Sequence, residues 1–324
     1  MKKLLVLAAF AAMLVSCQKD NNPASEGVPM KLIADIGEIT RVTYEPDGNV
    51  LKASWEASET ISVVTLDGSG KLVCVDNFTS TGAAGRATAE FSGTFNGGDS
   101  PAKVIVIYPA LTDNGAGKYE SAPYYNHAGA EVSFLYGAEV GNEYIQGSSH
   151  SLKQNADNDA SHLWNYCIMS GVVNKDDIKT NTLNVTLSHE MIVLKVTATF
   201  PASLKGEPLQ SMVIYSYDST DAEKGWSRSN SWEYLDIPSN PLCGRGSSYR
   251  SDWTLYVNDI VIPDSGIVTL YFVNFYLNDM EVGDNLKFTA QVDGVEYGPA
   301  TKTFNGNASF DKGKIYRMSI TIPE

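Results

Sequence analysis

Residues with the chemistry of a catalyst are few in this chain, and none stands in a recognised spacing. The histidines are His127, His150, His162 and His189; they form no HExxH and no other metal-ligand spacing. No GxSxG elbow supplies a serine nucleophile. The glycine-rich stretch 81–86 lacks the Lys-Ser/Thr end of a phosphate-binding loop. Cys17, Cys74, Cys167 and Cys243 are too far apart for a CxxC motif. Cys74 and Cys167 sit in apolar runs and are expected as small buried hydrophobes. His189-Glu190 offers a base beside an acid, but a polar kink in a strand is the reading adopted. Asn155, Asp157 and Asp159 alternate like the first ligands of a calcium loop. Ala160 stands where that loop needs glycine, and Tyr166 where it needs a bidentate glutamate, so a solvated loop is expected. These residues predict no enzyme, no metal site and no cofactor.

Binding chemistry is better supplied. The irregular segment 218–251 holds Trp226, Trp232, Arg245 and Tyr249, with Trp253 just beyond it. Flat aromatic faces stack on sugar rings or anchor a protein partner, and long connections without regular structure are often functional. Trp226, Trp232, Arg245 and Tyr249 are therefore the candidate ligand-binding residues. The alternative is that Trp253 and one further tryptophan belong to the core.

The elements that must position these residues read as strands. In 182–200, Leu183, Val185 and Leu187 alternate with polar residues; after His189-Glu190 the phase changes, and Ile192, Leu194, Val196, Ala198 and Phe200 are apolar. A slip of one residue turns every side chain to the other face. Either a bulge sits there or one strand ends and another begins, and one β-domain hands over to the next near this point. Other strands are expected at 31–39, 61–65 with 72–75 as a hairpin around Asp67-Gly68-Ser69-Gly70, 87–95, 103–108, 164–173, 209–217, 253–262, 266–277, 285–292 and 315–322. The run 103–108 is continuously apolar and should be buried on both faces. Helical periodicity is nearly absent, so the fold class is all-β, read as two sandwiches.

Length and composition agree. The 324 residues suit two domains of about 150 each, and the charged connection 174–181 puts them at 31–178 and 179–324. Acids outnumber bases 38 to 24, for a net charge of −14. No basic cluster appears, which excludes nucleic acid as the expected partner. Residues 1–16 read as a signal peptide: Lys2-Lys3, then an apolar run too short to span a bilayer. Leu14-Val15-Ser16-Cys17 resembles a bacterial lipobox, which would make Cys17 the acylated N-terminus; an ordinary signal peptide with a chance cysteine is the alternative. Residues 17–30 then form a lipidated, flexible tether.

Several stretches in order resemble the fimbrillin family, the type V pilin-like surface lipoproteins of the Bacteroides group. They are the lipobox at Cys17, a strand followed by Thr40-Arg41, Trp55 ahead of Ile61-Ser62-Val63, and Phe91-Ser92-Gly93. Val106-Ile107-Tyr108-Pro109, Leu187-Ser188-His189 leading into Val193-Leu194-Lys195-Val196, and Gly313-Lys314-Ile315-Tyr316 complete the set. Glu59-Thr60 departs from the Gly-Asp that many members carry there. The resemblance implies two transthyretin-like Greek-key β-sandwiches without enzymatic activity, on the cell outer membrane or in a pilus. It also implies assembly with other pilin subunits: the first strand is removed after an arginine, here Arg41, and a partner's strand fills the groove. Stalk subunits of the family carry a donor segment beyond the last strand, whereas only Pro323 and Glu324 follow 315–322 here. A tip subunit or adhesin is therefore expected, with an anchor second, meeting a host protein or glycan. The competing expectation is a monomeric glycan-binding lipoprotein held to the outer membrane through Cys17.

Overall fold

The computed structural model describes residues 27–36, 45–47, 50–52, 54–68, 72–82, 85–98, 101–113, 118–121, 124–125, 131–132, 135–137, 152–166, 169–173, 178–179, 181–189, 191–228, 234–236, 240–243, 249–274 and 277–324. Among them the regular structure is nearly all strand.

The first group of strands is β1 (Val28–Ile36), β2 (Thr60–Leu66), β3 (Leu72–Ser80), β4 (Thr88–Phe95) and β5 (Lys103–Tyr108). After them come β6 (Leu152–Gln154), β7 (Met169–Val173), β8 (Ile178–Lys179) and β9 (Thr182–His189). All but β6 share one sheet in the order β1-β4-β3-β2-β5-β7-β9-β8, and a further pairing of β1 with β9 closes it into a ring. β1 runs antiparallel to β4 and parallel to β9. The ladder between β3 and β4 is short, joining Thr79 to Ser92 and Ser80 to Phe91. Beyond it the Asp76 carboxylate takes over, accepting hydrogen bonds from the Asn96 backbone N–H (2.8 Å) and side-chain amide (2.7 Å). As the apolar run requires, Val104 to Tyr108 of β5 are all buried.

The second group is β10 (Ile192–Thr199), β11 (Pro208–Tyr217), β12 (Asp252–Val261), β13 (Ile267–Asn274), β14 (Asn285–Val292), β15 (Val295–Thr303) and β16 (Ile315–Thr321). A five-stranded sheet has the order β6-β12-β11-β14-β15, and a three-stranded sheet has the order β13-β10-β16. Most of the buried apolar side chains of both groups belong to one cluster, from Met30 to Ile322; Val64, Leu66, Ile105 and Ile107 of β2 and β5 are buried outside it. Short two-residue to four-residue strands fill parts of the remainder, such as Ser227–Arg228 against Tyr249–Arg250.

The phase slip is thus an end and a beginning. β9 closes the ring with Leu183, Val185 and Leu187 buried, and β10 opens another sheet with Leu194, Val196 and Ala198 buried. Sheet membership does not follow the division expected at 178/179. β9 lies beyond that point yet pairs with β1 and β7, while β6 lies before it and pairs in parallel with β12. β8 and β9 thus stand in the same sheet as β7. A second difference concerns 164–173, expected as one strand. Ser161–Tyr166 is a 3-10 helix, and among the described residues of the run Met169–Val173 is strand. The Asp159 side chain starts that helix by accepting from the Ser161 N–H (2.9 Å) and hydroxyl (2.8 Å), a local alternative to a strand ladder.

Candidate functional site

The alternating sequence of β1 makes it a wedge. Met30, Leu32, Ala34 and Ile36 point inward and are buried, whereas Pro29, Lys31, Ile33 and Asp35 point out. Inward, Leu32 lies between Leu183 of β9 and Phe91 of β4, and Ala34 between Val185 and Ala89. Outward, Lys31 Nζ pairs with Glu90 Oε1 of β4 at 2.8 Å, and the Thr88 hydroxyl donates to Asp35 Oδ1 at 3.1 Å. Both of those contacts are solvent-exposed and contribute about 0–1 kcal/mol. Burial of the inward side chains, at about 1.5–3 kcal/mol for each of the larger ones, holds the strand. Backbone bonds run along both of its edges; at its ends the Lys31 N–H donates to Asn181 O (2.9 Å) and the Ile36 N–H to Ala87 O (3.2 Å). The strand therefore occupies a slot, laddered to β4 from Val28 to Asp35 and to β9 from Lys31 to Ile36.

Phe91, the neighbour of Leu32 on β4, belongs to an aromatic cluster. The Trp55 indole is fully buried, with Phe91 and Tyr108 edge-on to it at 5.0 and 5.4 Å. Its backbone is tied to the chain ahead of β4, since Trp55 N–H donates to Arg86 O at 3.0 Å. Glu59 lies beside this cluster, its Oε1 accepting from the Tyr108 hydroxyl at 3.0 Å. Burial pushes its carboxyl up to about pH 7, more than the Tyr108 hydrogen bond lowers it.

Of the residues expected to bind ligand, Trp226 is placed in the core. It is 1% exposed, with Trp253 and Phe310 edge-on at 5.8 and 5.5 Å. Its backbone carbonyl accepts from the Asn278 N–H, which fixes the chain at this point. The expectation of an accessible indole at Trp226 is corrected: Trp226 and Trp253 are both buried in the core, as the alternative had it. Tyr249 falls in the short strand Tyr249–Arg250, while Trp232 and Arg245 lie outside the described residues, as do Cys17 and Arg41. The expected aromatic surface is therefore not brought together in the described residues.

Asn155 and Asp157 are exposed and Asp159 partly so, in keeping with the solvated loop expected. Within it Asp157 Oδ1 accepts from the Thr269 N–H (2.7 Å), Asn155 Oδ1 from the Asn258 amide (3.0 Å), and Asp159 from Ser161. Their oxygens are committed to fastening the loop, and among the described residues no group of three His, Cys, Asp or Glu side chains is placed to hold a metal ion. Cys74, expected buried, is half-buried; its Sγ is 3.5 Å from Asp76 Oδ2, and burial pushes the thiol up to about 11.

Sequence reasoning missed the parallel pairing of β1 with β9. The only signal in the chain was the shared alternation of 31–36 and 183–188, which shows that both strands are half-buried and not that they are neighbours.

No protein-family model matches the chain, and no curated protein matches it. Among solved structures, the chain is similar to one from Bacteroides ovatus described as a "putative cell adhesion protein", with 12% identity over 91% of this chain and 92% of that chain and a TM-score of 0.50. A fimbrial assembly protein from Parabacteroides distasonis aligns over 90% of each chain at 15% identity and a TM-score of 0.41. The fimbrial anchor protein Mfa2 from Porphyromonas gingivalis aligns over 86% of this chain and 83% of that chain at 10% identity and 0.37. The first of these shares its fold with this chain.

Proposed function

We propose that this chain is a non-enzymatic, fimbrillin-like surface subunit that joins a pilus by strand addition: removal of β1 at Arg41 opens the slot, and an extended strand of another subunit fills it. The observation that carries the reading is the seating of β1. It closes a ring between β4 and β9, it supplies four buried side chains, and its walls offer backbone partners on both edges to whatever replaces it. Arg41 lies in 37–44, the segment between β1 and the next described strand. In this reading each half is a transthyretin-like Greek-key sandwich, and Cys17 carries a lipid that brings the chain to the outer membrane. The fold shared with the Bacteroides ovatus protein supports a place in cell adhesion.

The chain is proposed as an acceptor, at the tip before the anchor position. β16 is committed to its own sheet, paired along its length with β10 and burying Ile320, with Ile322 just after it. Withdrawing it as a donor would open that core. The experiment is N-terminal sequencing of the protein taken from the cell surface. Val42 as the first residue is expected. A population that begins only at a lipidated Cys17 would remove the opening step.

A further inference from the structure

We propose that the slot selects its occupant. It takes an extended segment of another protein chain with large apolar side chains at the positions of Leu32 and Ile36, an alanine-sized one at the position of Ala34, and a cation at the position of Lys31. This rests on the strand-addition reading and adds to it a chemical description of the partner.

Backbone ladders alone accept any sequence, so discrimination must come from side chains. Inward, the rows across the three strands differ in bulk. Leu183, Leu32 and Phe91 form one row, and Val185, Ala34 and Ala89 the next. Leu32 and Ala34 have no exposure at all. Interiors are packed as tightly as organic crystals, so the room that two adjacent methyl groups leave is filled from across the core. A leucine at the position of Ala34 must displace those atoms, while an alanine at the position of Leu32 leaves a hole. The wall under Met30 is equally closed. A Cβ on Gly93, its neighbour on β4, would come within 2.8 Å of the Phe78 ring and of the Asn77 carbonyl oxygen. Met30 itself is at the rim, where an unbranched side chain adapts.

Outward, the slot presents Glu90, whose ion-pair partner is Lys31. When β1 leaves, that carboxylate stands on the wall of a protein whose net charge is −14. An incoming base is drawn by the field of the whole molecule and by Glu90 locally, and an incoming acid is repelled by both. The selected segment runs as β1 does, antiparallel to β4 and parallel to β9.

The test uses the full chain carrying Leu32→Ala, which weakens its own strand so that a peptide in solution competes with it. Three fluorescent peptides are compared by anisotropy: the β1 sequence, the same with Ala34→Leu, and the same with Lys31→Glu. The β1 peptide is expected to bind, the Ala34→Leu peptide about tenfold more weakly or worse, and the Lys31→Glu peptide about threefold to tenfold more weakly. Equal binding of all three overturns the selection and leaves strand addition standing. No binding of the β1 peptide overturns both. Should Leu32→Ala fail to fold, Met30→Ala at the rim loosens the same strand with less damage to the core.

Discussion

At the scale of single residues, buried titratable groups set how stability responds to pH. Glu59 has a pKa raised from 4.5 to about 7 by burial. Between those values the folded protein holds a proton that the unfolded chain has released, so this group's contribution falls as pH rises through that window. His162 and His189 act in the opposite sense. Burial lowers them to about 4 and about 3, and His162 Nε2 is 2.7 Å from Tyr271 O. The unfolded chain takes up their protons first, so stability is lost as pH falls below 6.5. Glu59→Gln keeps an acceptor for Tyr108 and removes the opposing slope. Its melting temperature should exceed that of the wild type at pH 7.5, and should rise more steeply with pH between 4.5 and 6.5. A variant no more stable than the wild type at pH 7.5 would mean that the carboxylate is well solvated. Trp226 makes a second case. Truncating it to alanine should cost about 3–5 kcal/mol in chemical denaturation, because the cavity opens beside Trp253 and Phe310. A loss under about 1 kcal/mol would contradict its place in the core. The sequence could not decide between core and surface for this residue, since an aromatic ring suits either and no alternation surrounds it.

At the scale of elements, β13 shows how an edge strand is closed without another strand. Gln154 Oε1 accepts from the Tyr271 N–H at 2.9 Å, and its amide donates to Thr269 O at 2.8 Å. Asp157 accepts from the Thr269 N–H at 2.7 Å. The Asn158 N–H donates to Thr269 O, and Asn158 Oδ1 accepts from the Tyr271 hydroxyl. Side chains of one short segment thus satisfy the backbone that an exposed edge would leave open to aggregation. Gln154→Leu should cost about 1–3 kcal/mol by leaving the buried Tyr271 N–H without its acceptor, read as a shift in the denaturation midpoint. An unchanged midpoint would mean that water takes over the bond. Strands facing a core on one side were legible from alternation: β9, β11, β14 and β16 fall within about a residue of their expected bounds. β15 was not, because it is exposed along nearly all of Val295–Thr303 and carries no apolar alternation, only a glycine and a proline at its centre. The segment 155–159 is exposed as expected, but that Asp157 also serves a backbone edge was not legible, because alternating Asn and Asp suit water, a metal or a backbone edge equally well, and only the fold chooses.

At the scale of the whole molecule, the all-β class follows from periodicity, but the connectivity does not. Period-two patterns mark which face of a strand is buried and leave its neighbours unnamed, so the crossing of β6 into the sheet of β12 and the closure of the ring by β1 had no local signal. That closure also has a consequence in time. The walls of the slot are made long after the strand that fills it: Ser92 follows Lys31 by about 60 residues and Thr182 by about 150. A chain synthesised from its N-terminus can offer β1 only the β4 wall until β9 exists, and pairing over such a separation is slow. β1 is then the last strand of the ring to gain both of its neighbours and, with no hairpin joining it to either, the first to work loose. In hydrogen exchange its amides should lose protection ahead of those of β5, which is buried on both faces and flanked by β2 and β7. Equal protection would show that the ring opens only as the whole protein unfolds, and that a newly made chain passes through no interval with its slot vacant.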